Sequence, residues 1–288
     1  MLDTGARIEA ALEAAVRRAE GPGAPPRLAA AIRHGVFPGG GRVRPRLLLA
    51  VAQACGDPNP ALSEAAAAAL ELLHCASLVH DDMPCFDDAA TRRGLPSVHA
   101  AHGEALALLA GDALIVAAFE ALARAAPADP QAAAALTLLV ARAVGMPHGI
   151  TAGQGWESEA EIDVDAYHRA KTGALFTAAA TGGALAAGAD PGPWRALGAM
   201  LGAAYQVADD LADALGSDCG KPCGQDAAHR RPNAVASLGV GGAVARLQAL
   251  IGEAVAAIPD CPGRDELRDL VLLQAKRLAP KSLVRSVA

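Results

Sequence analysis

The sequence predicts an all-α fold, and three observations carry that expectation. Of its 288 residues 52% are hydrophobic but only 3% aromatic, and alanine dominates the apolar set. Alanine is the strongest helix former, and its small side chain lets helices approach closely. Alternating β-branched runs bounded by turns are scarce. Pro and Gly cluster at 21–26, 38–41, 56–60, 94–96, 127–130, 145–149, 188–193, 216–224 and 259–263, and the segments between them read as helices. A bundle of about ten or more helices follows. No domain-scale linker or internal repeat interrupts it, so residues 1–288 are expected to form a single domain.

The elements follow in order. The first twenty residues mix charges with apolar residues at helical spacing and lack the apolar core of a signal peptide. Gly39-Gly40-Gly41 opens an apolar helix that carries Arg42 and Arg44. Asn59 and Pro60 form an N-cap and N1 pair, starting a helix that runs to about Asp82. On it His74, Leu78 and Asp81 fall at i, i+4 and i+7, one line along the surface. Arg92 and Arg93 come next, in a turn closed by Gly94. Lys171 precedes the longest uncharged stretch, Thr172 to Ala189. Its Ala, Gly and Thr content predicts a tightly packed buried helix rather than a membrane span. Asp190 and Pro-Gly-Pro then separate two further helices. The second of these is apolar through Leu201, Ala204, Tyr205, Val207, Ala208 and Leu211, yet holds Asp209, Asp210 and Asp213.

Charge is concentrated rather than spread. The net charge is −6, and seven of the 31 acids sit in two clusters: Asp81, Asp82, Asp87 and Asp88, then Asp209, Asp210 and Asp213. Without those seven, the acids nearly balance the 25 Lys and Arg residues. No basic stripe suggests nucleic acid. Cysteines 55, 75, 85, 219, 223 and 261 are scattered, as reduced thiols of a cytoplasmic protein would be, and Cys219 with Cys223 lacks a second ligand pair at zinc spacing.

Carboxylates at i, i+4 repel, and the penalty grows with burial. A hard divalent cation relieves it. Magnesium takes only one or two carboxylates and completes its shell with water and phosphate oxygens. Two such clusters on separate helices therefore suit a polyphosphate held between them through metal ions, with Arg42, Arg44, Arg92, Arg93, Lys171 and Lys221 as bases. The plainer alternative is idle Asp residues capping helix ends on the surface.

These residues resemble a known family. HDDMPCFDDAATRRG (80–94) is similar to the first Asp-rich motif of the trans-isoprenyl diphosphate synthases, in the form with four residues between the Asp pair and the next Asp. YQVADDLAD (205–213) is similar to the second. GGGRVRP (39–45), ELLHCASLVHDD (71–82), LAGDAL (109–114), GQ (153–154), KTGALF (171–176) and GK (220–221) match in order, so the resemblance spans about 35 to 235. Within the family it is nearest to the bacterial geranylgeranyl diphosphate synthases of carotenoid and bacteriochlorophyll pathways.

The resemblance implies helices around a central apolar cavity, prenyl transfer from an allylic diphosphate to isopentenyl diphosphate, and three Mg2+ ions with substrate bound. Asp81, Asp82 and Asp87 would bind two of them. Asp209 would bind the third from the other side, with Asp210 and Asp213 supporting that metal site. Arg92, Lys171, Thr172, Lys221 and Arg231 would hold the allylic diphosphate, with Gln154 and Gln206 close to it. Arg44, His74 and Arg93 would hold isopentenyl diphosphate. A cytoplasmic homodimer is implied as well.

Three departures stand out. Gly41 replaces the family's usual Lys, which leaves either a weaker isopentenyl site or compensation by Arg42. Glu157 replaces an Asp three residues after Gln154, and Arg231 within HRRPN (229–233) replaces a Lys. Product length is expected to depend on Ala76 and Ser77, five and four residues before Asp81. Alanine at 76, where farnesyl synthases often carry an aromatic ring, points to a C20 product with the wall deeper, near Leu114 to Phe119. The alternatives are a farnesyl or longer-chain synthase, or a weakly active subunit that regulates a partner synthase.

Overall fold

A computed structural model describes residues 3–215 and 233–278. These residues are helical apart from one small hairpin and its connections. In order come α1 (Thr4–Ala19), α2 (Pro26–Val36), α3 (Val43–Ala54), α4 (Pro60–Asp81), β1 (Thr91–Arg92), β2 (Leu95–Pro96), α5 (Val98–His102) and α6 (Glu104–Ala125). Then follow α7 (Pro130–Val144), α8 (Ile150–Trp156), α9 (Val164–His168), α10 (Ala174–Ala186) and α11 (Arg195–Ala214). The last two are α12 (Ala234–Ala256) and α13 (Arg264–Leu278).

Proline at the first helical position starts α2, α4 and α7, where its missing N–H costs no hydrogen bond. The Asp129 carboxylate caps α7 by accepting from the Ala132 N–H at 3.0 Å. Asn59 occupies the predicted N-cap of α4, but its side chain makes no capping hydrogen bond there. The scarcity of strands also needs one correction. Thr91 pairs with Pro96 and Arg92 with Leu95 in an antiparallel hairpin. Its two turn residues, Arg93 at φ 54° and Gly94 at φ 79°, are both left-handed, as a type I′ turn requires.

The core is built on α4 and α10. Packed against α4 are α1, α3 and α6, while α3, α7 and α11 surround α10. The predicted buried Ala-rich helix is α10, and small residues set how close it sits to α3. A Cβ on Gly183 would lie 2.9 Å from Val51 Cβ and 3.1 Å from the Ala52 nitrogen. A satellite cluster joins Ala204, Val207, Ala208 and Leu211 of α11 to Ala243, Leu247 and Leu250 of α12.

Runs without any charge understate the apolar helices. Three of them, α4, α6 and α12, are long and apolar enough to cross a membrane by length and composition. Most of α4 is buried inside the bundle (72% of its apolar window), whereas α12 is mostly exposed (17%). Cys55, Cys75, Cys85 and Cys261 are free thiols, and Cys219 and Cys223 lie outside the described residues.

Candidate active site

A cavity of about 610 Å³ opens between α3, α4, α6, α8, α10 and α11. The line predicted on α4 faces it, because His74, Leu78 and Asp81 all contribute to its wall. Asp209 and Asp213 enter from α11 on the other side. Both acid sets occupy helix C-terminal turns, where the carbonyl ends of the peptide dipoles are already negative. Asp caps helices at their N-termini, so capping of α4 or α11 themselves does not account for either set.

The acids are not equivalent. Asp81 Oδ1 is buried and accepts no hydrogen bond; it lies 3.9 Å from Lys171 Nζ. Asp82 is buried behind it and committed to Arg92, whose Nε donates at 3.0 Å and whose Nη2 also contacts the carboxylate. Burial pushes the Asp82 carboxyl up, and Arg92 opposes that rise. Asp87 is brought back toward the helix end, its N–H donating to the Asp81 carbonyl at 3.0 Å.

On α11, Asp210 has partners within the protein. It is buried, accepting from Gln206 Nε2 at 2.9 Å and from the Ala234 N–H at 2.7 Å, so it caps α12. Gln206 Oε1 in turn accepts from Thr172 Oγ1 at 2.6 Å.

Among the described residues no three His, Cys, Asp or Glu side chains close into a ready-made metal cage. Even so, Asp81, Asp209 and Asp213 bring carboxylate oxygens to the cavity, and Asp81 Oδ1 is buried without a hydrogen bond. Such a set fits magnesium, which brings waters and phosphate oxygens of its own.

The bases form two groups. Lys171 and Thr172 sit in a π-type turn, Arg169–Gly173, between α9 and α10. Wide turns of this kind recur at functional sites, and here both side chains reach the cavity. Gly153 explains the glycine before Gln154, since a Cβ there would lie 2.5 Å from Lys171 Cα. Lys171 Nζ contacts Glu157, which also accepts from Tyr167 OH at 2.8 Å and from Gln154 Nε2 at 3.1 Å.

In the second group Arg44 lies over the rings of Phe176 (4.9 Å) and Tyr205 (5.8 Å) and donates to His74 Nε2 at 3.2 Å. Arg44 Nε is buried and unpartnered. Arg93 donates to the Gly39 carbonyl, and its guanidinium fills the space a Cβ on Gly40 would take, 2.5 Å away. Lys221 and Arg231 lie outside the described residues.

One expectation changes and another narrows. Arg42 does not stand in for the missing Lys at 41. It is buried away from the cavity, pairing with Glu71 and Glu9 at 2.9 Å each and donating to the Val36 carbonyl at 2.8 Å. Deeper down, Leu114 turns to α2, its Cδ1 3.6 Å from where a Gly35 Cβ would be. Ile115, with Val144 and Ile150, faces the cavity instead, and Phe119 does not line it. Ala76 and Ser77 do line it, and Ala76 is buried. Sequence reasoning passed over Tyr167; its only signal was its place four residues before Lys171.

Residues 25–258 match the polyprenyl synthetase family. The chain belongs to that family. Its reaction class is prenyl transfer. It is 58% identical to a geranylgeranyl diphosphate synthase of Cereibacter sphaeroides over 98% of both chains. To another from Rhodobacter capsulatus it is 52% identical, over 94% of this chain and 95% of that one. Among solved structures it resembles an FPP/GFPP synthase of Zymomonas mobilis, with a TM-score of 0.79 at 30% identity over 96% of this chain and 99% of that one. A Helicobacter pylori geranyltransferase, solved with magnesium and isoprenyl diphosphate, also scores 0.79, at 27% identity over 96% and 99%.

His74 yields a pH test. Burial, with Arg44, Arg93 and Arg92 adding repulsion, holds its imidazole well below the ordinary value. Arginine can only donate, so Nε2 accepts and the neutral ring carries its proton on Nδ1. Below about pH 6.5 the unfolded chain therefore binds a proton that the folded chain refuses, and stability falls with pH until the depressed value is reached. Melting temperatures measured from pH 7.5 to 5 should decline less steeply in His74→Gln. Equal slopes would show that His74 is not held neutral.

Proposed function

We propose that this polyprenyl synthetase makes geranylgeranyl diphosphate (C20) from isopentenyl diphosphate and a shorter allylic diphosphate. The observation that carries this is a pair of carboxylate-bearing helix ends facing one cavity whose wall is kept open by Ala76. The two relatives of near full-length match are both geranylgeranyl diphosphate synthases. We also propose a single domain working as a cytoplasmic homodimer.

In this proposal Asp81, Asp87 and Asp209 hold Mg2+, with Asp82, Asp210 and Asp213 behind them. Mg2+ bound there would supply charge neutralisation for the departing diphosphate. Lys171, Arg92, Thr172, Gln154 and Gln206 orient the allylic diphosphate, and Lys221 and Arg231 join them from outside the described residues. Arg44, His74 and Arg93 hold isopentenyl diphosphate. The allylic C–O bond breaks with its electron pair on the diphosphate. The isopentenyl π pair then forms the new C–C bond, and a proton passes from the adjacent carbon to the released diphosphate. Charge on the leaving group develops where the bases already point, which is where fixed charges are most effective.

Chain length needs a steric stop. Burying each five-carbon unit favours elongation by roughly 4 kcal/mol, at about 0.8 per carbon group. The wall in this reading is Ile115, Val144 and Ile150, with Ala76 leaving space above it.

Three outcomes test the proposal. With Mg2+ present, Asp81→Ala and Asp209→Ala should each lower kcat about 100- to 1,000-fold in a labelled isopentenyl diphosphate assay. Near wild-type turnover in either contradicts the two-sided site. Gly41→Lys should lower KM for isopentenyl diphosphate and leave the allylic KM unchanged. The glycine has no left-handed φ, and a Cβ there would meet only Val43 Cγ2 at 3.2 Å, so lysine is sterically tolerable. If neither KM changes, Arg44, His74 and Arg93 suffice. Finally, Ala76→Phe should shift the main product from C20 to C15 with activity retained, read by chromatography of the hydrolysed prenols. A C20 product from that variant, or C15 from the wild type, overturns this explanation of chain length.

A further inference from the structure

Lys171 stands between two carboxylates. Its Nζ contacts Glu157 Oε1 and lies 3.9 Å from Asp81 Oδ1. A lysine ammonium is a point charge on a flexible four-carbon stem, so which carboxylate it joins depends on how firmly each is held. Asp81 Oδ1 is buried and accepts no hydrogen bond, which makes it an attractive second partner. Glu157 is held on both oxygens. Tyr167 OH donates to Oε1 at 2.8 Å, and Gln154 Nε2 donates to Oε2 at 3.1 Å. Tyr167 is itself buried, on the helix turn before Lys171, with its ring centre 5.8 Å from the ammonium.

We propose that Tyr167 and Glu157 are a positioning pair that holds the Lys171 ammonium off Asp81, keeping Asp81 Oδ1 open for a Mg2+-bound diphosphate. This rests on the functional reading above. Without the tyrosine hydroxyl, Glu157 loses a donor to Oε1. The ammonium then closes onto Asp81, and Mg2+ must displace a positive charge already in place. The expected signature is a raised Mg2+ requirement rather than a loss of fold. A hydrogen bond to a charged group corresponds to about a tenfold change in an equilibrium constant.

The test uses the full chain and inorganic pyrophosphate, with binding followed by calorimetry across a Mg2+ titration and unfolding followed by circular dichroism. Tyr167→Phe should raise the Mg2+ concentration for half-maximal pyrophosphate binding about tenfold, with the melting temperature of the metal-free protein unchanged. Glu157→Gln should act in the same direction. In a Lys171→Met background, where no ammonium competes for Asp81, Tyr167→Phe should have no further effect. An unchanged Mg2+ requirement in Tyr167→Phe overturns the inference, as does an effect that persists undiminished in the Lys171→Met background. If Tyr167→Phe does not fold, Glu157→Gln, alone and combined with Lys171→Met, separates the same two outcomes. A wild type that binds no pyrophosphate with Mg2+ overturns the functional reading itself, and this inference with it.

Discussion

Two sets of carboxylates gathered at the C-terminal turns of α4 and α11 impose the constraint that the rest of the molecule answers. Helix dipoles place partial negative charge at those ends, so each Asp there adds to a field that already disfavours it. Arg92 and Lys171 offset part of it, and the partly buried walls keep what remains unscreened. A site with clustered carboxylates and a buried Asp81 oxygen that accepts no hydrogen bond is arranged for a cation. The positive charge of Arg44 and Arg93 around the same cavity is arranged for an anion. Magnesium with a diphosphate satisfies both, which is why the charge pattern and the family membership lead to the same chemistry.

Holding those ends in place falls to small residues. Gly202 lets α11 pass within 2.8 Å, Cβ position to Cα, of Gly173 in the π-type turn, and Gly153 admits the Lys171 backbone on the other side. The turn carrying Lys171 is therefore gripped between α8 and α11, the elements that carry Gln154 and Asp209. Close approach of backbones makes the position of Lys171 a property of the packing rather than of one flexible side chain.

Much of this was legible in the sequence because helical periodicity is local. The i, i+4, i+7 line of His74, Leu78 and Asp81 needs only the helix repeat, and the structure turns all three to the cavity. What escaped depends on distant partners. Arg42 looked like a phosphate ligand until Glu9, on α1, and Glu71 claimed it. The hydrogen bond that Asp210 accepts from the Ala234 N–H comes from 24 residues along the chain. The hairpin hid because an Arg, not the usual Asn or Asp, takes the first left-handed position of its turn. Leu114 and Ile115 differ by one step of about 100° around α6, finer than a pattern of apolar residues resolves.

In the proposed chemistry α4 and α11 act together on one diphosphate through metal ions. The most direct test is anomalous diffraction from crystals of the wild-type protein grown with Mn2+ and inorganic pyrophosphate. Manganese is expected at both Asp81 and Asp209, bridged by one pyrophosphate that Lys171 also contacts. Pyrophosphate bound with manganese on only one of the two helices, or with none on either, would contradict this joint action.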